Sequence, residues 1–367
     1  MKIDATRPSS FTARCALLLR GLFENKGLRY HFLFSLFSIL LSPFSLIFGT
    51  ITTCRRKWVR SETLPVPTIC VGNLRIGGTG KTPLVEYIVN FLSQHFQTAI
   101  LSRGYGRKTK GYINAKETSY LSSQIIGDEP MQYFSKFPNV EIAVCKKRKT
   151  GIQNLLKKNP KLKGVVLDDA YQHLSVNYSL RILLTEYHRP FFKDFPIPSG
   201  RLREFRCAAK YADIIIVTKC PNDLTQENRK DFILQLKPKQ HQEVFFTTIH
   251  YAESRRAEGK NEILLVTGID NPKPLLDYLE GYYGKINRLH FPDHHSFTKK
   301  DIEKIIKLKE KLGGDNCIIF TTEKDAMRLQ AFENMPEFQT IPIEIAFLEN
   351  ESVFQEKLLS LFHRHEA

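Results

Sequence analysis

The sequence predicts an α/β fold: a parallel sheet with helices on both faces, a second, smaller α/β domain after it and a membrane helix before it. Three observations lead there. Beyond Trp58, short β-branched runs alternate with helical patterns, as in a parallel sheet covered on both faces. A glycine-rich loop, Gly77-Gly-Thr-Gly-Lys-Thr82, stands between a hydrophobic strand and an amphipathic run. From Tyr30 to Cys54 there is no Asp, Glu, Lys or Arg.

At about 1.5 Å per residue the uncharged stretch exceeds the roughly 30 Å thickness of bilayer hydrocarbon. Four serines, Gly49 and Pro43 dilute its apolarity, so residues 30–54 are expected to form a membrane-anchoring helix that either spans the bilayer or lies in its interface. Arg55, Arg56 and Lys57 follow at once, with no small-residue cleavage site, which argues against a removable signal peptide. Arg14, Arg20, Lys26 and Arg29 load the other flank, so the positive-inside rule gives no orientation. Residues 1–29 form an N-terminal extension, either a second membrane-surface element or a tail.

The expected strands after the anchor are Val66–Val71, Thr98–Ser102, Glu141–Cys145, Gly164–Leu167, Arg181–Leu184, Asp213–Thr218, Glu262–Thr267, Arg288–Phe291 and Asn316–Thr321, more than one sheet holds comfortably. The polar, turn-prone segment 251–261 reads as a linker. It divides a nucleotide-binding domain, 55–250, from a second domain, 262–367, with a ligand cleft expected between them.

The chain has 367 residues, 42% hydrophobic and 25% charged, enough for two cores and inconsistent with general disorder. Its 54 Lys+Arg against 38 Asp+Glu give +16, predicting an anionic partner: nucleic acid, acidic lipid or phosphorylated substrate. The seven cysteines are scattered, without a CxxC pair. They read as reduced thiols of a cytosolic domain rather than a zinc site.

In strand Val66–Asn73, loop 74–80 and the helical run after Lys81, the sequence has the strand, loop and helix that a P-loop requires. Gly77, Gly78 and Gly80 let backbone N–H groups, that of Thr79 included, converge on phosphate oxygens. Lys81 supplies charge to the β- and γ-phosphates, Thr82 suits Mg²⁺, and Pro83 fits a first helical turn. Arg75 stands where the general pattern has glycine. Gly164-Val-Val-Leu-Asp-Asp169 is an apolar strand ending in two carboxylates, as expected of a Walker B element that holds Mg²⁺. The fold class is therefore P-loop NTPase-like, with its nucleotide site facing the cytoplasm.

Several motifs together resemble the tetraacyldisaccharide 4′-kinase (LpxK) family of lipid A biosynthesis: VGNLRIGGTGKTP (71–83), SRGYGR (102–107), GDEP (127–130), LDDAYQH (167–173), PSGRLRE (198–204), VTK (217–219), FPDHH (291–295) and TTEKDA (321–326). The resemblance implies two α/β/α domains, dependence on ATP and Mg²⁺, and association with the bacterial inner membrane. It also implies transfer of the γ-phosphoryl to the 4′-hydroxyl of a tetraacylated glucosamine disaccharide 1-phosphate, with no nucleic acid and no obligate protein partner. The family tolerates a non-glycine at Arg75, and Ala170-Tyr171 replaces its usual Gly-Phe.

The family pattern carries the catalytic base onto Asp128 with His294 as its partner, His295 being the competing histidine. An imidazole beside a carboxylate can orient it and share its proton, one from each domain. Glu129 and Asp168 are the expected metal neighbours with Thr82, and Asp169 is a further carboxylate. Arg103, Arg148 and Arg203 match family arginines that face phosphates, where a planar guanidinium binds in a bidentate manner. Tyr105, Gln172 and His173 match positions on the substrate side. Lys219 and Thr321–Lys324 either approach the nucleotide or serve the fold.

Three rivals carry different features. A membrane-associated P-loop ATPase of the partition or septum-site type has lysine just before its Gly-Gly pair, where this chain has Ile76. A nucleic-acid translocase would account for the charge, but no basic-aromatic repeat is present. A nucleotide switch would show Asn-Lys-x-Asp, and Thr218-Lys-Cys-Pro-Asn-Asp is only a loose echo.

Overall fold

The computed structural model of the protein describes residues 26–251, 262–283, 286–293 and 295–366. Residues 1–25, most of the expected linker and His294 lie outside that set. In chain order the elements are α1 (Lys26–Trp58), β1 (Thr68–Asn73), α2 (Lys81–Ser93), β2 (Thr98–Ser102), β3 (Ile113–Asn114), α3 (Ser123–Ile126), α4 (Asp128–Lys136), β4 (Glu141–Val144), α5 (Arg148–Lys158), β5 (Gly164–Leu167), β6 (Leu180–Glu186) and β7 (Ile214–Thr218). They continue with α6 (Gln226–Leu236), β8 (Glu243–Tyr251), β9 (Glu262–Thr267), α7 (Lys273–Tyr283), β10 (Ile286–His290), α8 (Lys299–Lys311), β11 (Cys317–Thr322), α9 (Glu323–Leu329), β12 (Phe338–Ile341), β13 (Ile343–Phe347) and α10 (Glu351–Glu366).

One sheet has the order β13-β8-β7-β6-β1-β5-β2-β4-β3, parallel except at its two edges. Along β1, Ile69 and Val71 enter one apolar layer and Cys70 the other, and all six residues are buried. Helix α2 closes one face with Leu84, Val85, Ile88, Val89 and Leu92, whose i, i+1, i+4, i+5, i+8 spacing makes one stripe. Burying side chains of this size contributes about 1.5–3 kcal/mol each. Ile152 and Leu155 of α5 cover the other face. Because β1 lies between β5 and β6, both parallel to it and later in the chain, the strand order reverses around it. Ligands bind at such a switch point, outside the carboxyl ends of the strands.

The second sheet, β10-β9-β11-β12, is wholly parallel with apolar layers on both faces. The domain expected over 262–367 differs from the strand pairing. Beyond Pro342, β13 pairs with β8 of the first sheet, and Phe354, Leu358 and Phe362 of α10 join the layer under α2. Proline has no N–H to give a ladder, and at Pro342 the chain leaves one sheet for the other.

The uncharged stretch is helical, but no helix among the described residues is long and apolar enough to cross a membrane, so a membrane-spanning helix at 30–54 is not supported. Part of the helix packs on protein. Ser45 is buried and donates to Ser199 Oγ at 2.7 Å. Phe205 lies so close to Gly49 that a Cβ there would meet its ring at 2.4 Å. Ile39, Leu40, Phe44, Leu46, Ile47 and Ile51 remain exposed.

Candidate active site

The glycine-rich loop leaves the end of β1 and is fixed from behind. Thr79 is buried: Asn73 Nδ2 donates to its hydroxyl at 2.7 Å and Thr218 Oγ1 to its carbonyl at 2.9 Å. Gly77 and Gly80 have φ of 117° and 85°, conformations that favour glycine. Lys219 spans from the Gly78 carbonyl to Glu186. Arg75 donates to Asp194 at 2.7 Å and lies 3.8 Å from Glu186, and its backbone bridges to Leu202. An arginine here is thus a strut under the loop.

The two carboxylates after β5 differ sharply. Asp169, at φ 47°, accepts from Arg203 Nη1 at 2.8 and 3.0 Å and lies 3.7 Å from Lys81. Burial alone would raise its pKa, but Lys81 and Arg203 outweigh it and hold the carboxyl below its usual range. Asp168 is buried, and burial, then Asp169 and Glu129, push it up to about 7. Its Oδ2 accepts from Ser102 at 3.4 Å, whereas Oδ1 is buried with no hydrogen-bond partner among the described residues.

Glu129 belongs to α4, which starts at Asp128 immediately after Gly127. A Cβ at Gly127, φ 98°, would stand 2.8 Å from the Tyr105 carbonyl, so GDEP and SRGYGR meet where only glycine fits. Arg103 and Tyr105 are exposed on that loop. Beneath it, Tyr133 is fully buried with its hydroxyl among Thr82, Asp168 and Glu129.

Arg148 departs from the phosphate-facing role expected of it. It is only 2% exposed, and its guanidinium donates to the carbonyls of Cys145 (2.8 Å), Asp168 (3.1 Å) and Asp169 (3.4 Å). It ties together the ends of β4 and β5. Gln172 donates to the Asn73 carbonyl at 2.8 Å and accepts from Arg203 at 3.3 Å.

His173 Nε2 accepts from the Arg148 N–H at 3.2 Å. Burial first, then Arg148, Arg55 and Arg103, lower His173 from 6.5 to about 4. The unfolded chain therefore takes up a proton between about pH 6.5 and pH 4 that the folded protein refuses, and stability falls as pH drops through that window. His173→Gln is expected to flatten the decline of Tm across this range. An unchanged slope would assign the acid sensitivity to another group.

Asp128 lies with Arg328 Nε 3.0 Å from its Oδ2, a contact from the second sheet's side. His294 lies outside the described residues. His295 is engaged elsewhere, 3.0 Å from the helix-capping Asp301 and stacked on Phe291. Glu323 and Lys324 face α4: Glu323 reaches Lys136 at 2.6 Å, and Lys324 stands between Glu129 (3.9 Å) and Asp293 (3.7 Å).

Two residues were missed in the sequence. Arg328 lacks a motif of its own. Arg56 looked like part of a basic membrane flank, yet it is buried, pairs through two nitrogens with Glu204 of PSGRLRE and donates to the Tyr171 carbonyl at 3.0 Å. Its guanidinium also lies over the Tyr171 ring at 5.1 Å, joining α1 to the loop that carries Asp168 and Asp169. Among the described residues, no group of three or more His, Cys, Asp or Glu forms a metal cage.

Comparison with known proteins bears on this arrangement. The family model described as tetraacyldisaccharide-1-P 4′-kinase (LpxK) matches residues 37–363. A protein of Flavobacterium psychrophilum named tetraacyldisaccharide 4′-kinase is 42% identical over 337 residues, covering 87% of this chain and 95% of that one. One of the same name from Bacteroides thetaiotaomicron is 41% identical over 341 residues, covering 85% and 89%. The crystal structure of LpxK from Aquifex aeolicus in complex with ATP superposes with TM-score 0.69 at 26% identity, covering 89% of this chain and 99% of that one. The chain belongs to the tetraacyldisaccharide-1-P 4′-kinase family.

Proposed function

We propose that the protein uses ATP and Mg²⁺ to phosphorylate the 4′-hydroxyl of a tetraacylated glucosamine disaccharide 1-phosphate, a lipid A precursor. The observation that carries this reading is the meeting of Lys81, Asp169 and Arg203 beside a glycine-rich loop at the switch point of the sheet. Family membership names the acceptor.

The loop amides of Gly77, Gly78, Thr79 and Gly80, with Lys81, hold the phosphates. Lys81 already carries an anionic neighbour in Asp169, which a γ-phosphate replaces. The donor set fits Mg²⁺, which takes one or two carboxylates together with substrate phosphates and water rather than an all-protein cage. Asp168, with its unpartnered buried oxygen, Glu129 and the Thr82 hydroxyl would hold it, and Asp169 lies beside them. Bound there, the metal neutralises charge on the transferring group. Asp128, with His294 as the partner that the family pattern gives it, accepts the proton of the 4′-hydroxyl. Arg203, Gln172 and His173 line one side, and exposed Arg103 and Tyr105 meet the phosphorylated disaccharide.

The exposed apolar stripe of α1 and the +16 charge suit attachment at the cytoplasmic face of the inner membrane. Incubating detergent-solubilised protein with γ-labelled ATP, Mg²⁺ and the disaccharide 1-phosphate lipid is expected to give a labelled bisphosphorylated lipid. ATP hydrolysis stimulated by DNA or a protein, with no lipid product, would overturn the reading.

A further inference from the structure

We infer that Arg328 is a positioning residue for phosphoryl transfer, its single guanidinium placed against both the Asp128 carboxylate and the His295 carbonyl. The inference rests on the kinase reading above. Arg328 is 9% exposed. Nε lies 3.0 Å from Asp128 Oδ2 in the first sheet's unit, and Nη1 donates to the His295 carbonyl at 2.8 Å in the second. Nη2 lies 3.4 Å from Asp325 Oδ1.

Asp325 is fully buried and held in turn, its Oδ2 accepting from the Gly268 N–H at 2.9 Å and from the Thr322 hydroxyl at 2.7 Å. The arginine therefore has a buried, anchored carboxylate behind it and presents two edges forward. One edge meets the residue that the family pattern makes the base, and the other meets the backbone of the loop bearing its histidine partner.

The helices carrying these groups are matched end to end. At the start of α4, Asp128 meets Arg328 in the last turn of α9. At its end, Lys136 meets Glu323 in the first turn of α9. Each charge also sits at the helix end that its sign favours. Lys136 holds Glu86 of α2 as well, at 2.8 Å, so the contact extends to the helix that follows the phosphate loop. A structural role alone would be met by the Lys136 contact as well as by Arg328. Of these two cations Arg328 is the one at Asp128, and misplacing a reacting group by about 1 Å can cost about 10²-fold in rate. Lysine is a poorer substitute, because one ammonium cannot both lie against the Asp128 and Asp325 carboxylates and donate to the His295 carbonyl.

The test compares Arg328→Met, Arg328→Lys and Lys136→Gln in the full-length protein, alone and combined with Asp128→Asn. Arg328→Met is expected to lower kcat about 10- to 100-fold, with the KM for ATP within about twofold. Arg328→Lys should recover only part of the loss, and Lys136→Gln, at the same helix contact, should stay within about threefold. Over Asp128→Asn, Arg328→Met should add no further loss, because the group it positions is already gone. Equal losses in Arg328→Met and Lys136→Gln, or losses that multiply with Asp128→Asn, would overturn the inference.

Amide exchange gives a readout independent of turnover: Arg328→Met should speed exchange in 128–131 and 295–297 together, and Lys136→Gln should not. Absence of lipid product from the wild type would sink the kinase reading, while exchange would still decide the coupling. Exchange that does not rise in both segments together in Arg328→Met, with a wild type that makes product, would sink only the inference.

Discussion

Asp128→Asn is expected to lower turnover about 10²- to 10⁴-fold, the range for removal of a positioned general base, with ATP binding nearly unchanged. The substitution keeps size and hydrogen-bonding capacity but leaves no carboxylate to take the acceptor's proton. Asp128 opens α4 directly after Gly127, where the Tyr105 carbonyl excludes any larger residue, so its backbone position survives the change. The phosphate loop is held separately, by Asn73 and Thr218 behind Thr79, which is why ATP affinity should not follow kcat. Measuring kcat and the KM for each substrate with the lipid assay decides this. Turnover within about threefold of wild type would remove Asp128 from the chemistry, and a parallel loss of ATP binding would make it part of the nucleotide site.

How far the sequence foretold the structure depends on the range of the interactions. The phosphate loop was legible because its requirements are local: a strand before it, glycines at φ values other residues avoid, and a helix starting at Lys81. Strands Thr98–Ser102, Gly164–Leu167 and Glu262–Thr267 were legible for the same reason, being short apolar runs between breakers. Strands β12 and β13 were not. Phe338–Phe347 reads as one extended run interrupted by proline, and nothing local says that its halves join different sheets. Arg56 shows the same limit. In sequence it is one of three basic residues beside an uncharged stretch, and only the fold delivers Glu204, 148 positions away, to neutralise it.

Carboxylates were easier to find than to rank. Asp168 and Asp169 are adjacent and identical in type, yet their environments drive them in opposite directions: burial raises one to about 7, while Lys81 and Arg203 hold the other low. That difference makes Asp168 the metal-facing candidate and Asp169 the partner of the loop lysine.

Arg148 supplies the largest expected effect on stability, and with it a choice between two roles. As a phosphate-binding residue, its replacement would raise the KM for lipid and leave folding intact. Its surroundings argue otherwise, since three main-chain carbonyls from the ends of β4 and β5 converge on a guanidinium that solvent hardly reaches. Arg148→Met fills much of the same volume and strands those carbonyls, each worth about 1–3 kcal/mol when buried unpaired. Removing the charge also ends the cost of keeping a cation out of water, as the lowering of its pKa by burial indicates. The stranded carbonyls outweigh that relief, and a loss of about 2–4 kcal/mol is expected, a large share of the usual 5–15 kcal/mol for a folded domain. Urea unfolding should show the midpoint falling sharply, and Arg148→Lys should recover little, because one ammonium cannot span carbonyls on two strands. The fraction that remains folded should keep a near-normal KM for lipid. A stable Arg148→Met protein with weakened lipid binding would return the residue to the substrate site.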